Sequence, residues 1–255
     1  IPSLGSTYQR ASQQTADSFG LLPLASVSIN PSQNWLFTVG KINSFGGFEN
    51  TFTYQNNNID RGLLWNQTSN VSRGAQASYK QGSTTAAFSV NDGFYSNELS
   101  WMGASLSFDI SESNSATAIW SGSIKTNPTN SFITPVAQNN SQIFNLIFTH
   151  RSNQWSVTPY VQYTYVPANP SLGILSSAQT SGVALLSNYK ILGEREGSTY
   201  LPFRFEFITS AGKTGSGSPN LLYGVGSAAW SATITPTYQL KTWFIRGELS
   251  YVKAT

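Results

Sequence analysis

Along much of this chain the side chains alternate between two characters, and a repeat of two residues is the signature of extended strands rather than helices. The run from Trp155 reads WSVTPYVQYTYV: Trp155, Val157, Pro159, Val161, Tyr163 and Tyr165 share one face, and Ser156, Thr158, Tyr160, Gln162 and Thr164 the other. Phe203, Phe205 and Phe207 alternate with Arg204 and Glu206. Trp243, Ile245, Leu249 and Tyr251 alternate with Thr242, Arg246, Glu248 and Ser250. Met102, Ala104, Leu106, Phe108 and Ile110 oppose Trp101, Ser105, Ser107 and Asp109, and Ala116, Ala118, Trp120 and Ile124 oppose Ser115, Thr117, Ser121 and Ser123. No comparable stretch holds a 3.6-residue period, so the chain reads as all-β.

The partner of the apolar face follows from the charge content. Only 10% of residues are charged, against roughly 25% in soluble domains, yet mean hydropathy is −0.20 and hydrophobic residues reach only 39%. A disordered chain would not carry 7 Trp, 12 Tyr and 15 Phe, because aromatics are depleted where no core forms. A transmembrane barrel accounts for both facts: its outer face needs apolar residues without charge, and its inner face needs polarity. No run approaches 18 apolar residues, which excludes a transmembrane helix. The absence of cysteine excludes disulfides and thiolate chemistry. A net charge of +3 with scattered basic residues gives no case for nucleic-acid binding.

Alternation predicts about twelve strands, near 22–30, 34–44, 72–81, 83–91, 98–110, 114–124, 142–151, 153–166, 180–190, 199–209, 221–239 and 241–253. Most are long enough to cross the hydrocarbon layer at a tilt. Short turns at Asn30–Asn34, Gln81–Ser83, Ser111–Asn114, Arg151–Asn153, Gly193–Ser198 and Leu240–Lys241 alternate with longer segments at Phe45–Val71, Asn91–Asn97, Lys125–Ser141, Pro167–Gln179 and Ser210–Asn220. Loops sorted by length onto two sides describe an antiparallel, up-and-down outer-membrane barrel. Trp35, Trp155, Tyr165, Tyr200, Trp243 and Tyr251 lie near strand ends, where an interfacial girdle needs them. The alternation puts Ile1–Phe19 in a long loop and carries the last strand toward another. The expectation is one barrel domain over 1–255 that lacks strands at both ends, with about fourteen to sixteen strands when complete by the even-number rule.

The segment Trp35–Leu106 adds a family resemblance. Gly40-Lys41 after a strand, the block NIDRGLLWN (Asn58–Asn66), Ser72-Arg73-Gly74 and NDGFYSN (Asn91–Asn97) resemble the OmpL-like β-barrel porins. The resemblance implies a porin-like protein of the bacterial outer membrane.

Phe45–Val71 is too long for an ordinary hairpin connection. It carries Glu49, Asp60 and Arg61 with Phe45, Phe48, Phe52, Tyr54 and Trp65. Folded into the lumen, it would narrow a pore: Glu49, Tyr54, Asp60, Arg61 and Trp65 would form the constriction, Asp60 and Arg61 would set a transverse field, and the aromatics would anchor the loop to the wall. An extracellular lid is the alternative. Arg73, Lys80, Arg204, Glu206, Arg246 and Glu248 are expected to face the lumen, because Arg or Lys on the lipid face at midplane costs roughly 2–4 kcal/mol. There they would tune ion selectivity or form a lattice that holds barrel shape. His150, the only histidine, lies beside a short turn on the lipid side and lacks the convergent partners of a catalytic or metal site. The GKTGSG run at Gly212–Gly217 lacks phosphate-loop spacing and a following helix. The expectation is a non-enzymatic porin without cofactor or metal. It would sit in the lipid bilayer of the bacterial outer membrane and pass small hydrophilic solutes or ions, and a homo-oligomer is compatible with the sequence. The competing reading is a barrel with a plugged lumen that serves as a scaffold or presents loops to other molecules.

Overall fold

Hydrogen-bonded hairpins convert nearly every period-two run into a strand. The computed structural model describes residues 19–194 and 196–255; the predicted loop Ile1–Phe19 lies almost entirely outside them. The strands are β1 (Ala25–Ile29), β2 (Trp35–Asn43), β3 (Val71–Gln81), β4 (Thr84–Asn91), β5 (Trp101–Asp109), β6 (Asn114–Ser123), β7 (Gln142–Arg151), β8 (Trp155–Val166), β9 (Ala178–Glu194), β10 (Glu196–Ala211), β11 (Ala228–Ile234), β12 (Thr237–Leu240), β13 (Trp243–Arg246) and β14 (Leu249–Ala254). All belong to one antiparallel sheet in which each strand from β1 to β11 pairs with the next, and β11 pairs with β14. Among the described residues β1 and β14 are the two edges of this path and do not pair with each other.

The last two predicted strands each divide in two. β11 and β12 both pair with β10, and they are separated at Thr235-Pro236, where proline has no N–H to give the ladder. β13 pairs with β12 and β14 with β11, with the break at Gly247-Glu248. The start of the predicted 221–239 strand is also corrected. Residues 221–227 form turns around Gly224 (φ 146°) and Gly226 (φ 78°), and Leu221 and Leu222 turn inward to full burial.

The connections 30–34, 82–83, 110–113, 152–154 and 241–242 are short. They alternate with 44–70, 92–100, 124–141, 167–177 and 212–227. The sheet thus has a short-turn end and a loop end, as an outer-membrane barrel requires.

Burial runs opposite to that of a soluble protein. Leu146, Val161 and Phe205 are 58%, 48% and 40% exposed, whereas Arg204 and Glu206 are 2% and 0% exposed. The register carries the outward row across the sheet: Ala86 faces Leu106, then Ala118, Leu146, Val161, Val183 and Phe207 in turn. At the short-turn end Trp35 lies against Tyr79 and Trp155 against Tyr189, each at 4.8 Å between ring centroids, and Trp243 is half exposed. Tyr165 and Tyr251 occupy the outward face nearer the loop end, Tyr251 against Trp230 at 5.2 Å. Tyr200 departs from the predicted girdle. It lies an even number of residues from Arg204 and Glu206 on an unbroken ladder, which puts it on the inward face, where it lines a cavity with Pro202.

The largest buried apolar cluster lies inside the curl of the sheet. Leu63 and Leu64 of the 44–70 segment pack with Ile147, Tyr160, Ala184, Leu186, Ile208, Leu222 and Ala229, flanked by Phe48 and Ile119. A connection that leaves the sheet between β2 and β3 therefore reaches the inner faces of β7 to β11.

Candidate functional site

Residues 44–70 form no strand, and most of their backbone N–H and C=O groups lack ladder partners. Buried groups of this kind must be satisfied elsewhere. The segment is first pinched at its base. Ser44 N–H donates to Asn70 O at 3.1 Å, Ser44 Oγ pairs with Ser69 Oγ at 3.0 Å and with Ser72, and Thr51 Oγ1 donates to Asn70 O at 3.1 Å.

Charged side chains on the inward face of the sheet then hold the segment. Glu206 accepts the Leu63 and Leu64 N–H groups at 2.8 and 3.1 Å, and the Ser231 hydroxyl at 2.9 Å. Glu248 accepts the Ile59 and Asp60 N–H groups at 2.6 and 2.8 Å, and the Thr235 hydroxyl at 2.7 Å. Arg246 donates to Thr53 O at 2.7 Å, to Asn57 O at 3.3 Å and to Asn56 O. Three neutral bonds add register: Gln162 to Leu64 O at 2.9 Å, Asn58 to Thr235 Oγ1 at 2.8 Å, and Gln67 to Leu221 O at 2.8 Å. Two residues apart on β10, Arg204 and Glu206 present one cation and one anion side by side to the irregular loop backbone; Arg246 at the end of β13 and Glu248 in the break after it do the same. The first pair takes a carbonyl and two N–H groups; the second takes carbonyls and N–H groups of residues 53–60.

At the centre one guanidinium lies between two carboxylates. Arg204 Nη1 is 2.6 Å from Glu49 Oε1, and Arg204 Nε is 3.3 Å from Glu206 Oε2. Arg204 also donates to Asp60 O at 2.6 Å and to Thr233 Oγ1 at 3.3 Å. Glu49 accepts the Gly62 N–H at 2.9 Å. Burial pushes the Glu49 carboxyl up to about 7; Arg204 opposes that shift, and the Glu206 charge adds to it. Gly62 is required by contact: a Cβ there would lie 2.1–2.4 Å from the Glu206 carboxylate.

Glu49, Arg204, Glu206, Arg246 and Glu248 thus converge on the loop–wall interface. Asp60 joins through its backbone. Arg61 turns back on the loop: it donates to Thr53 Oγ1 at 2.6 Å and to Thr51 O, and lies 5.3 Å from the Trp65 ring centre. The electrostatics of the interface therefore involve wall charges beyond the predicted Asp60–Arg61 pair. Tyr54 is exposed and packs on Phe52 at 5.8 Å. The buried anchors are Leu63 and Leu64 rather than Tyr54; their apolar pairing inside a polar segment was the available signal. Gln162, Asn58 and Gly62 carried none.

Two of the predicted lumen charges part company. Lys80 is exposed beside the 82–83 turn, on the face of Gln76 and Ser78. Arg73 is corrected: it faces Lys41 across the ladder, in line with Val39–Ala75 and Phe37–Ala77, which puts it on the outward face. Seven residues separate it from Lys80, an odd number, so a period-two strand points them to opposite sides. At the loop-end rim Arg73 pairs with Asp92 at 2.7 Å and lies 3.8 Å from the Tyr95 ring centre. His150 Nδ1 lies 2.9 Å from Asn114 Oδ1 beside a short turn.

An inside-out antiparallel sheet with length-sorted connections and an inward-held loop defines an outer-membrane β-barrel. A family model described as "Putative beta-barrel porin-2, OmpL-like" matches residues 3–255, and the chain belongs to that family. No curated protein matches. Among solved structures the chain is similar to OmpT, an outer membrane protein of Vibrio cholerae in trimer form, with TM-score 0.59 and 10% identity over 90% of this chain and 69% of that one. OccK1 (OpdK) of Pseudomonas aeruginosa matches with TM-score 0.47 and 12% identity over 90% and 68%. At 10% identity the likeness to OmpT concerns the fold alone.

Proposed function

We propose that the chain forms a water-filled channel for passive diffusion of small hydrophilic solutes or ions across the bacterial outer membrane, with residues 44–70 as its constriction. One observation carries this reading: Arg204 and Glu206 of β10, Arg246 of β13 and Glu248 beside it are directed inward and hold a loop across the inner face, while the outward face is largely apolar. A charged wall suits a conduit, and an inward loop sets its width. Residues 1–255 act as one barrel domain. Backbone left without a strand partner cannot face hydrocarbon, so in the working barrel the edges that β1 and β14 form among the described residues are covered. A channel rather than an enzyme also suits the inward carboxylates, which accept loop N–H groups and neighbouring hydroxyls and so act as loop anchors. A homo-oligomer is compatible with the apolar outer face.

Full burial of Leu64 and Glu206 favours a second reading, in which the loop plugs the lumen and the barrel serves as a scaffold. Planar-bilayer recording of the purified protein separates the two. Discrete current steps proportional to salt concentration are expected of the pore, and an inserted but silent barrel would identify the plug.

A further inference from the structure

The charges of the loop–wall interface hold the loop, but a cavity beside them is lined by groups the loop does not use. It has a volume of about 360 Å³ and lies between the loop tip and the wall, with Tyr54, Gln55, Asn57, Asn188, Tyr200 and Arg246 among its lining residues. Tyr200 and Asn188 flank the β9–β10 turn, which puts the cavity on the short-turn side of the loop. Residues 55–57 also border a smaller cavity of about 80 Å³ that reaches Glu49 and Leu186, so the loop tip is a thin partition between a chamber and a neck.

The chemistry of the lining is specific. Arg246 is the cavity's one formal charge, and both its terminal nitrogens already donate to loop carbonyls. The remaining polar side chains are amides, the phenols of Tyr54 and Tyr200 and the Thr237 hydroxyl, beside the apolar Pro202 and Phe244. The side-chain amides of Gln55 and Asn57 make no hydrogen bond among the described residues, and Asn188 Oδ1 is enclosed without a partner. Each amide offers both a donor and an acceptor, which suits hydroxyl groups and gives an ion no counter-charge. The Tyr54 ring packs one face on Phe52 and leaves the other for the C–H face of a solute. The volume falls within the roughly 300–1,000 Å³ range of small-molecule sites.

We infer that this cavity is a subsite for neutral polyhydroxylated solutes, with sugar or polyol hydroxyls bonded to Gln55, Asn57 and Asn188 and the ring of Tyr54 beneath them. This deepens the pore reading and rests on it. The test measures uptake of radiolabelled glucose into proteoliposomes containing the full chain, beside gluconate, which has the same carbon skeleton with a carboxylate. Glucose uptake is expected to saturate and gluconate uptake to stay linear. Asn57→Ala with Asn188→Ala, in a barrel whose heat-modifiable migration shows it folded, should raise the glucose half-saturation by about tenfold or more; Asn188→Gln should retain saturation. Linear glucose uptake, saturation by gluconate alone, or a half-saturation unmoved in the double variant would each overturn the subsite. Ionic current steps in potassium chloride separate the two failures: their absence sinks the pore reading itself, and their presence beside linear glucose uptake sinks only the subsite.

Discussion

Single atoms decide how firmly the loop is held. The Glu206 carboxylate takes two consecutive backbone N–H groups, and hydrogen bonds to a charged group contribute about 1.5–3 kcal/mol each. Gly62→Ala drives a methyl group into that carboxylate. The expected outcome is a loop cleaved far faster by an added protease, at an unchanged yield of folded barrel. Removing the cation is predicted to act more strongly. Arg204→Ala leaves Glu49 and Glu206 buried together, and breaking a buried pair costs about 3–5 kcal/mol. Single-channel conductance should rise, because the loop then leaves the wall. Acidity acts in the opposite direction. The Glu49 carboxyl is raised to about 7 in the docked loop from an ordinary value of 4.5, so the docked form binds the extra proton. Docking is therefore strongest below pH 4.5, weakens as pH rises toward 7 and changes no further above it; the span is on the order of 3 kcal/mol. Conductance should fall on acidification across that window, and Glu49→Gln should flatten the response. A pH response unaltered in that variant would point to another group.

Among the elements, the β2–β3 connection has the largest effect on the interior. It covers Ile147, Tyr160, Leu186 and Ile208 with Leu63 and Leu64, and its deletion would expose that inner apolar patch to water. Deletion of residues 50–66 is nonetheless predicted to raise single-channel conductance, since the strands pair through their own ladders. Equal conductance in the deletion would place the narrowest point elsewhere. The divided strands β11/β12 and β13/β14 contribute differently. Their breaks at Pro236 and Gly247 bring Thr235 and Glu248 together at 2.7 Å and aim Glu248 at the loop backbone. Pro236→Val would let one continuous strand form and is expected to loosen the segment Ile59–Asp60.

At the scale of the whole molecule, the inside-out distribution of side chains is the property that bears on where the protein resides. Phe205 and Val161 lie outward near the middle of their strands, and Arg at either position should lower barrel stability by roughly 2–4 kcal/mol at the bilayer midplane. Heat-modifiable migration after folding into lipid vesicles measures this. The same substitution at an exposed position near a short turn, such as Gln81, is expected to be nearly neutral. Equal costs at both sites would remove the case for a hydrocarbon-facing surface.

Period-two patterning determined the strands, their inward and outward faces and the sorting of turns from loops, because side-chain direction in a strand follows from local backbone geometry alone. Hence Arg204, Glu206, Arg246 and Glu248 could be assigned to the inner face before any contact was known. The misplaced Arg73 was legible too, from its odd spacing to Lys80. The inward position of Tyr200 was equally legible, from its even spacing to Arg204, but residues 221–227 were not, because the positive φ angles at Gly224 and Gly226 interrupt the alternation. Which of these groups meet is set by the folded sheet and loop together. The pairing of Glu206 with Leu63 and Leu64, or of Glu248 with Ile59 and Asp60, joins residues more than a hundred positions apart. It depends on how far the sheet curls and how deep the loop reaches. No local period encodes such distances; they arise when irregular backbone must find partners inside a closed space.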